Sequence, residues 1–150
     1  MPQDRRSTTP NPEPRPPREA VTASIQPQLW VEQASAAVAF YQAAFGATVV
    51  HRVGDGDDIV AQLSVAGAAF WVAAASPSMK RLSPRAINGT TSRTLLVVED
   101  PEHVIERAVR AGATKVSPVG DEHDWRLGRI IDPFGHEWEI GHPLGAWPPA

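Results

Sequence analysis

The chain has 150 residues, enough for one domain with a substantial buried core, and its 42% hydrophobic and 21% charged content is that of a globular protein. A formal net charge of −3 leaves no basic surface for nucleic acid, and no apolar run is long enough to span a membrane or to serve as a secretory signal. The absence of cysteine excludes disulfides, thiolate metal sites and thiol catalysis, and fits a cytoplasmic location.

Residues 1–24 hold six of the fifteen prolines, several arginines and almost no large apolar side chain. Such a segment cannot bury enough surface to offset its ordering entropy, so it is expected to be a disordered tail. Beyond it ten basic and fourteen acidic residues remain, which makes the globular part acidic. Ile25 to Val31 reads as a strand. A helix over Ser35 to Phe45 follows and stops at Gly46, a residue suited to the left-handed position after a helix. Thr48 to Val53, Ile59 to Val65 and Ala68 to Ala74 read as three strands, separated by the turn signals Gly54-Asp55-Gly56-Asp57 and Ala66-Gly67. After a linker over 76–91 the order returns. Ser92 to Val98 is a strand, Asp100-Pro101 opens a helix as N-cap and first-turn proline, and Gly112 ends it. Lys115 to Val116, Leu127 to Ile131 and His136 to Gly141 complete the second set of strands, with Asp132-Pro133-Phe134-Gly135 as a tight turn.

The two halves align. Leu29-x-Val31 sits over Leu95-x-Val97, Val38 over Val104 and Gly46-Ala47-Thr48 over Gly112-Ala113-Thr114, at an offset of 66. Gly67-x-x-Phe70-x-Val72 sits over Gly135-x-x-Trp138-x-Ile140 at an offset of 68. The expected architecture is therefore α+β: two βαβββ modules, at about 25–75 and 92–144, in one domain over 25–144 with a C-terminal tail at 145–150. Phe40, Phe45, Phe70 and Trp138 are core candidates, and His136 is a turn or surface residue.

Two segments carry a family likeness. Leu29-Trp30-Val31 through Ala37-Val38-x-Phe40-Tyr41-x-x-Ala44-Phe45-Gly46-Ala47 resembles the opening of glyoxalase-like proteins. Gly128-Arg129-x-x-Asp132-Pro133-Phe134-Gly135-His136-x-Trp138-x-Ile140 resembles their close. The likeness is to the glyoxalase/bleomycin-resistance/dioxygenase (vicinal oxygen chelate) superfamily, in its bleomycin-resistance-like subgroup, and covers about residues 25–144. It implies that each half forms a cupped mixed sheet backed by a helix. It also implies a small-molecule cavity between cups, often completed or flanked by a homodimer.

Catalytic members of that superfamily hold a divalent metal on inward residues of the first and last strands of each half. Carried over, these positions fall on Gln26, Trp71, Arg93 and Glu139. Gln26 and Glu139 could ligate a metal. Trp71 offers only an N–H donor, and the Arg93 guanidinium has no lone pair and would repel a cation. The resemblance thus leads here to an expectation of no metal or other cofactor, with Arg93 in the metal's place and paired with Glu139, singly or bidentately.

Gln28 and Trp30 share the strand face of Gln26, and with Trp71 they either wall a pocket for a flat ligand or simply fill the cup. The polar run Asp121 to Arg126 reads as a loop beside the second cup, and the resemblance implies that a loop at this place borders the cavity, which makes Trp125 and Arg126 candidate ligand contacts. His51, His103 and His123 have no carboxylate partner in sequence, and no Ser-His-Asp set, phosphate-cradling glycine loop or paired-carboxylate signature occurs.

Three functions follow from these residues. The first is binding of a small aromatic or cationic molecule in a metal-free cavity. The second is a metal-dependent glyoxalase, dioxygenase or isomerase using Gln26, with Glu139 as the catalytic base. The third is a scaffold or regulatory protein that keeps the fold alone.

Overall fold

The computed structural model describes residues 10–15 and 22–150, so the expected disordered tail falls largely outside it. The first module runs β1 (Gln28–Val31), α1 (Ala34–Phe45), β2 (Thr48–Val53), β3 (Val60–Val65) and β4 (Ala68–Ala74). The second runs β5 (Thr94–Val97), α3 (Pro101–Ala111), β6 (Thr114–Glu122), β7 (Trp125–Ile131) and β8 (Glu137–Pro143). Each module folds into a four-stranded sheet, ordered β1-β4-β3-β2 in one and β5-β8-β7-β6 in the other. The pairs β1–β4 and β5–β8 are parallel, as a helical crossover requires, and the rest are antiparallel. The duplicated α+β architecture is that expected from the repeat.

The helices form where the local signals place them. Gly46 takes φ 66° at the end of α1, and the Asp100 carboxylate accepts the His103 backbone N–H at 3.1 Å to cap α3, a contact worth about 1 kcal/mol. Each helix covers one face of its own sheet, and the helices also pack on each other. The two covered faces consequently meet in one core. Phe40, Tyr41 and Phe45 of α1 and Phe70 of β4 lie in it with Trp138 of β8, all buried. Trp138 has ring centroids of Phe45, Phe70 and Tyr41 within 5.6 Å, so the aromatic contact crosses from module to module.

A buried carboxylate closes that core. Asp132 accepts the Tyr41 hydroxyl at 2.5 Å, the Trp138 indole N–H at 3.0 Å, and the backbone N–H groups of Phe134 and His136 at 2.9 and 3.0 Å. Four donors satisfy the charge where water is excluded. Asp132 therefore sets its own turn and ties α1 of the first module to β8 of the second. His136 adds a second tie, its Nε2 lying 2.9 Å from the Trp30 carbonyl oxygen.

Three details differ from the sequence reading. The strand register places Leu29 opposite Val72 and Leu96 opposite Ile140, so Leu29 corresponds to Leu96 at an offset of 67 rather than to Leu95 at 66. Burial agrees: Leu29 and Leu96 are buried, while Leu95 is 45% and Val97 52% exposed. A one-residue shift moves a side chain to the other face of a sheet, so Leu95 and Val97 stand on the face away from the helix. Val38 likewise matches the buried Ile105 rather than Val104. Second, the run Asp121 to Arg126 is not a loop. β6 extends nine residues to Glu122, β7 begins at Trp125, and only His123 and Asp124 form the turn, both at positive φ. The strand expected over Lys115 to Val116 runs on through Pro118 and Gly120, because β6 is an edge strand with bulges, where both are tolerated. Third, β1 begins only at Gln28, and Ile25 is 99% exposed.

The linker is ordered as well. It forms a short 3-10 turn at Pro77–Met79 and α2 (Pro84–Ile87), whose cap Ser83 is buried and donates to Glu32 Oε1 at 2.9 Å. A Cβ on Gly135, already at φ 91°, would lie 2.8 Å from the Pro84 Cβ, so glycine there permits both the turn and the docking of α2.

Candidate functional site

The face of each sheet that its helix leaves uncovered is set by strand register. Gln28 pairs with Trp71, Trp71 with Gln62 and Gln62 with His51, which makes one row across the first sheet. Leu95 pairs with Glu139, Glu139 with Arg129 and Arg129 with Ser117, which makes the corresponding row across the second. Since Trp71 and Glu139 are 68 apart, and Gln28 and Leu95 67 apart, Gln26 and Arg93 occupy equivalent places just before β1 and β5.

In the first module these side chains form a neutral hydrogen-bonded cluster. Gln26 Oε1 accepts the Trp71 indole N–H at 2.8 Å and the Gln62 amide at 3.0 Å, while Gln26 Nε2 donates to Ser24 at 3.1 Å. Both lone pairs of the Gln26 carbonyl are thereby engaged. The Trp71 ring meets His51 edge-on, with centroids 6.4 Å apart.

In the second module the cluster is ionic. Arg93 Nη2 lies 3.3 Å from Glu139 Oε2, so the two side chains that the repeat placed together do pair. The contact is single rather than bidentate, because Arg93 also reaches Glu137 Oε1 at 3.3 Å through Nη1. The shorter partner of Glu139 is Arg129, whose Nε donates to the same Oε2 at 2.9 Å while its Nη2 donates to Glu122 at 3.2 Å. Partial burial works against the Arg129 charge, yet Glu122 and Glu139 outweigh it and hold its pKa above the usual value.

A cleft of about 370 Å³ lies against this network. Arg93, Glu122, Arg129 and Glu139 supply its polar wall, and Leu95, Leu127, Trp125 and Trp147 its apolar one. Glycine at 141 makes room for Trp125, since a Cβ there would come within 3.3 Å of the indole ring.

The candidate residues thus divide. Arg93, Glu139 and Trp125 come together in the second cup. Gln26 and Trp71 form the separate cluster of the first, and Gln26 lines, with Arg93 but without Glu139, another cleft of about 520 Å³ between the two modules. Gln28 and Trp30 border a smaller cleft of about 170 Å³ against the linker and His136. Arg126 turns to the helix side, where it meets Glu102 of α3 and Asp121. Strand alternation explains this, because Arg126 follows Trp125 and must face the other way. Arg129, Gln62, Glu122, Glu137 and Trp147 were not singled out. Counting alternate residues back from Ile131 along β7 would have put Arg129 on the open face.

The fold, the motif ends and the paired cups agree with the comparison to known proteins, in which a glyoxalase-like domain matches residues 24–141. The chain belongs to the glyoxalase-like family. An uncharacterised protein of Mycobacterium bovis is 36% identical over 131 residues, covering 83% of this chain and 86% of that one. Among solved structures, an Arabidopsis thaliana gene product is 31% identical with a TM-score of 0.63, covering 80% of this chain and 98% of that one. A fosfomycin resistance protein of Listeria monocytogenes, solved as a mutant with Mn(II) and a dihydroxypropylphosphonic acid, is 17% identical. Its TM-score is 0.62 over 85% of this chain and 94% of its own. That last likeness is one of fold. At Gln26, Trp71, Arg93 and Glu139 this chain carries a tryptophan-bound glutamine in one cup and an arginine–glutamate pair in the other.

Proposed function

We propose that this glyoxalase-like protein binds a small aromatic or cationic molecule in the second cup without a metal. The observation that carries this reading is the Arg93–Glu139–Arg129 cluster, in which two guanidinium groups converge on one oxygen of Glu139. A divalent ion there would meet two fixed positive charges, and Gln26 has no free carbonyl lone pair to offer from the other cup. Among the described residues no three His, Cys, Asp or Glu side chains gather as a ligand set. The donors present therefore do not fit the metal of catalytic relatives, and Glu139 acts in this reading as a fixed charge of a binding site rather than as a base.

A second copy belongs to the same reading. Both covered faces meet in the shared core, so each open face looks away from it, and a cavity walled on both sides needs another cup laid over it. Native mass spectrometry is expected to give a homodimer.

The test is stabilisation by ligand. Mn(II), Ni(II) and Zn(II) are expected to leave the thermal midpoint unchanged. A panel of small aromatic cations should include members that raise it, since saturation at about 100 times Kd contributes about 2.7 kcal/mol. Stoichiometric metal in the purified protein, or stabilisation by metal with none by the panel, would overturn the proposal in favour of a metal-dependent enzyme.

A further inference from the structure

The C-terminal segment after β8 is not a free tail. The Leu144 backbone N–H donates to the Asp124 carbonyl oxygen at 2.9 Å, which ties the start of this segment to the turn between β6 and β7 at the mouth of the second cup. The chain then carries Trp147 against Trp125, with ring centroids 5.1 Å apart and planes at 75°, and both indoles line the same cleft. Trp147 nevertheless stays 61% exposed, so burial alone does not account for its position. Two prolines follow it directly and restrict the backbone at 148 and 149, which lowers the entropy lost in holding the segment in place. The cup thus has an aromatic corner, one side fixed on the sheet over Gly141 and the other on a tethered strap.

Charge selects what the corner can hold. Of the charged side chains that line the cleft, two guanidinium groups, Arg93 and Arg129, stand against two carboxylates, Glu122 and Glu139, and every guanidinium is already engaged. An anion would have to displace a carboxylate from an arginine. A cation displaces no carboxylate from an arginine and meets the electron-rich indole surface of the corner. The cleft volume of about 370 Å³ is at the small end for organic ligands, which suits a molecule of one or two fused rings.

We infer that residues 144–150 form a ligand-binding strap, and that Trp147 with Trp125 makes an aromatic corner selecting a planar aromatic cation with one or two fused rings. This rests on the proposed binding function, and it adds both the ligand class and the residue that confers it.

Calorimetric titration of the full chain with N-methylquinolinium, and with 2-naphthoate as an anion of similar shape, tests it. The cation is expected to bind at least about tenfold more tightly than the anion. Trp147→Ala, or a stop after Leu144, is expected to weaken the cation about five- to tenfold, and Trp147→Phe to retain most of the affinity. Circular dichroism of each variant should match the parent, since Trp147 is outside the core. If the cation binds and both the alanine variant and the truncation stay within about twofold of the parent, the strap has no such role, while the binding function stands. Preference for the anion would overturn the ligand class. If neither probe binds, this inference fails, and the wider panel of cations decides separately whether the binding function fails with it.

Discussion

Across the first sheet the open face reads Gln28, Trp71, Gln62, His51, and across the second it reads Leu95, Glu139, Arg129, Ser117. The backbone positions correspond strand for strand, yet the chemistry does not. In the first row an amide oxygen takes two neutral N–H donors, and the cluster ends with nothing over. In the second, charge is concentrated and carboxylates outnumber guanidiniums. The repeat thus gives two cups of the same backbone, one with an uncharged hydrogen-bonded row and the other with an ionic network. Behind them, the covered faces did not diverge in this way, because both must pack into one core.

That shared core gives the largest expected effect. Asp132→Ala leaves the Tyr41 hydroxyl, the Trp138 indole and two backbone N–H groups without their acceptor. The loss should be about 3–5 kcal/mol, read from the urea midpoint. Because Asp132 joins the modules, the parent should unfold in a single transition by both far-ultraviolet circular dichroism and tryptophan fluorescence. Two separated transitions would mean that the cups are independent and the comparison between them is one of separate domains.

Tyr41 gives the same core a pH signature. Burial, and then the adjacent Asp132 charge, raise its hydroxyl pKa well above the ordinary value of about 10. The unfolded chain therefore releases this proton first. The stability contribution is whole below about pH 10 and is lost as pH climbs toward the folded pKa. Tyr41 is the only tyrosine in the chain, so tyrosinate absorbance reports it alone. It should appear together with unfolding and not before, and a titration near pH 10 in the folded protein would refute the buried pairing. Tyr41→Phe should cost about 1 kcal/mol at neutral pH and flatten the alkaline decline.

The core was legible in the sequence because its signals are periodic or punctuated. Gly46, Asp100-Pro101 and the Asp132 to Gly135 turn fix helix ends and a turn by local rules, and the aromatic residues of α1 recur at helical spacing. The open faces were less legible. Leu95-Leu96-Val97-Val98 is apolar at every position, so alternation does not say which two face the helix, and the true offset there is 67 rather than 66. Equating Gln26 with Arg93 still led to the ion pair, while Arg129, the nearer partner of Glu139, was read only as part of a terminal motif. Trp147 had no signal at all, since nothing local tells a tail from a strap.

The ionic cup is expected to respond next. Arg129→Gln removes the shorter contact of Glu139 and its link to Glu122, at a cost of about 1–2 kcal/mol after allowance for partial exposure. The cost should shrink in high salt, because screening weakens what remains of the network. A loss unaffected by salt would indicate that Arg129 packs rather than pairs.

The smallest effect tests the difference between the cups most directly. Gln26→Ala removes the acceptor shared by Trp71 and Gln62, but both donors are only partly buried and can turn to water. Stability should fall by no more than about 1 kcal/mol. Glu139→Gln keeps the shape of the second cup and removes one of the two carboxylates that line its cleft, so binding of an aromatic cation should weaken about tenfold, against less than about threefold for Gln26→Ala. Calorimetric titration of both variants with the same cation measures the ratio. Equal losses would mean that the neutral row and the ionic row grip one ligand from two sides, which a dimer laid cup over cup would bring about. A loss confined to Glu139→Gln assigns the ligand to the second cup and leaves the first as the wall that its closed hydrogen-bond cluster describes.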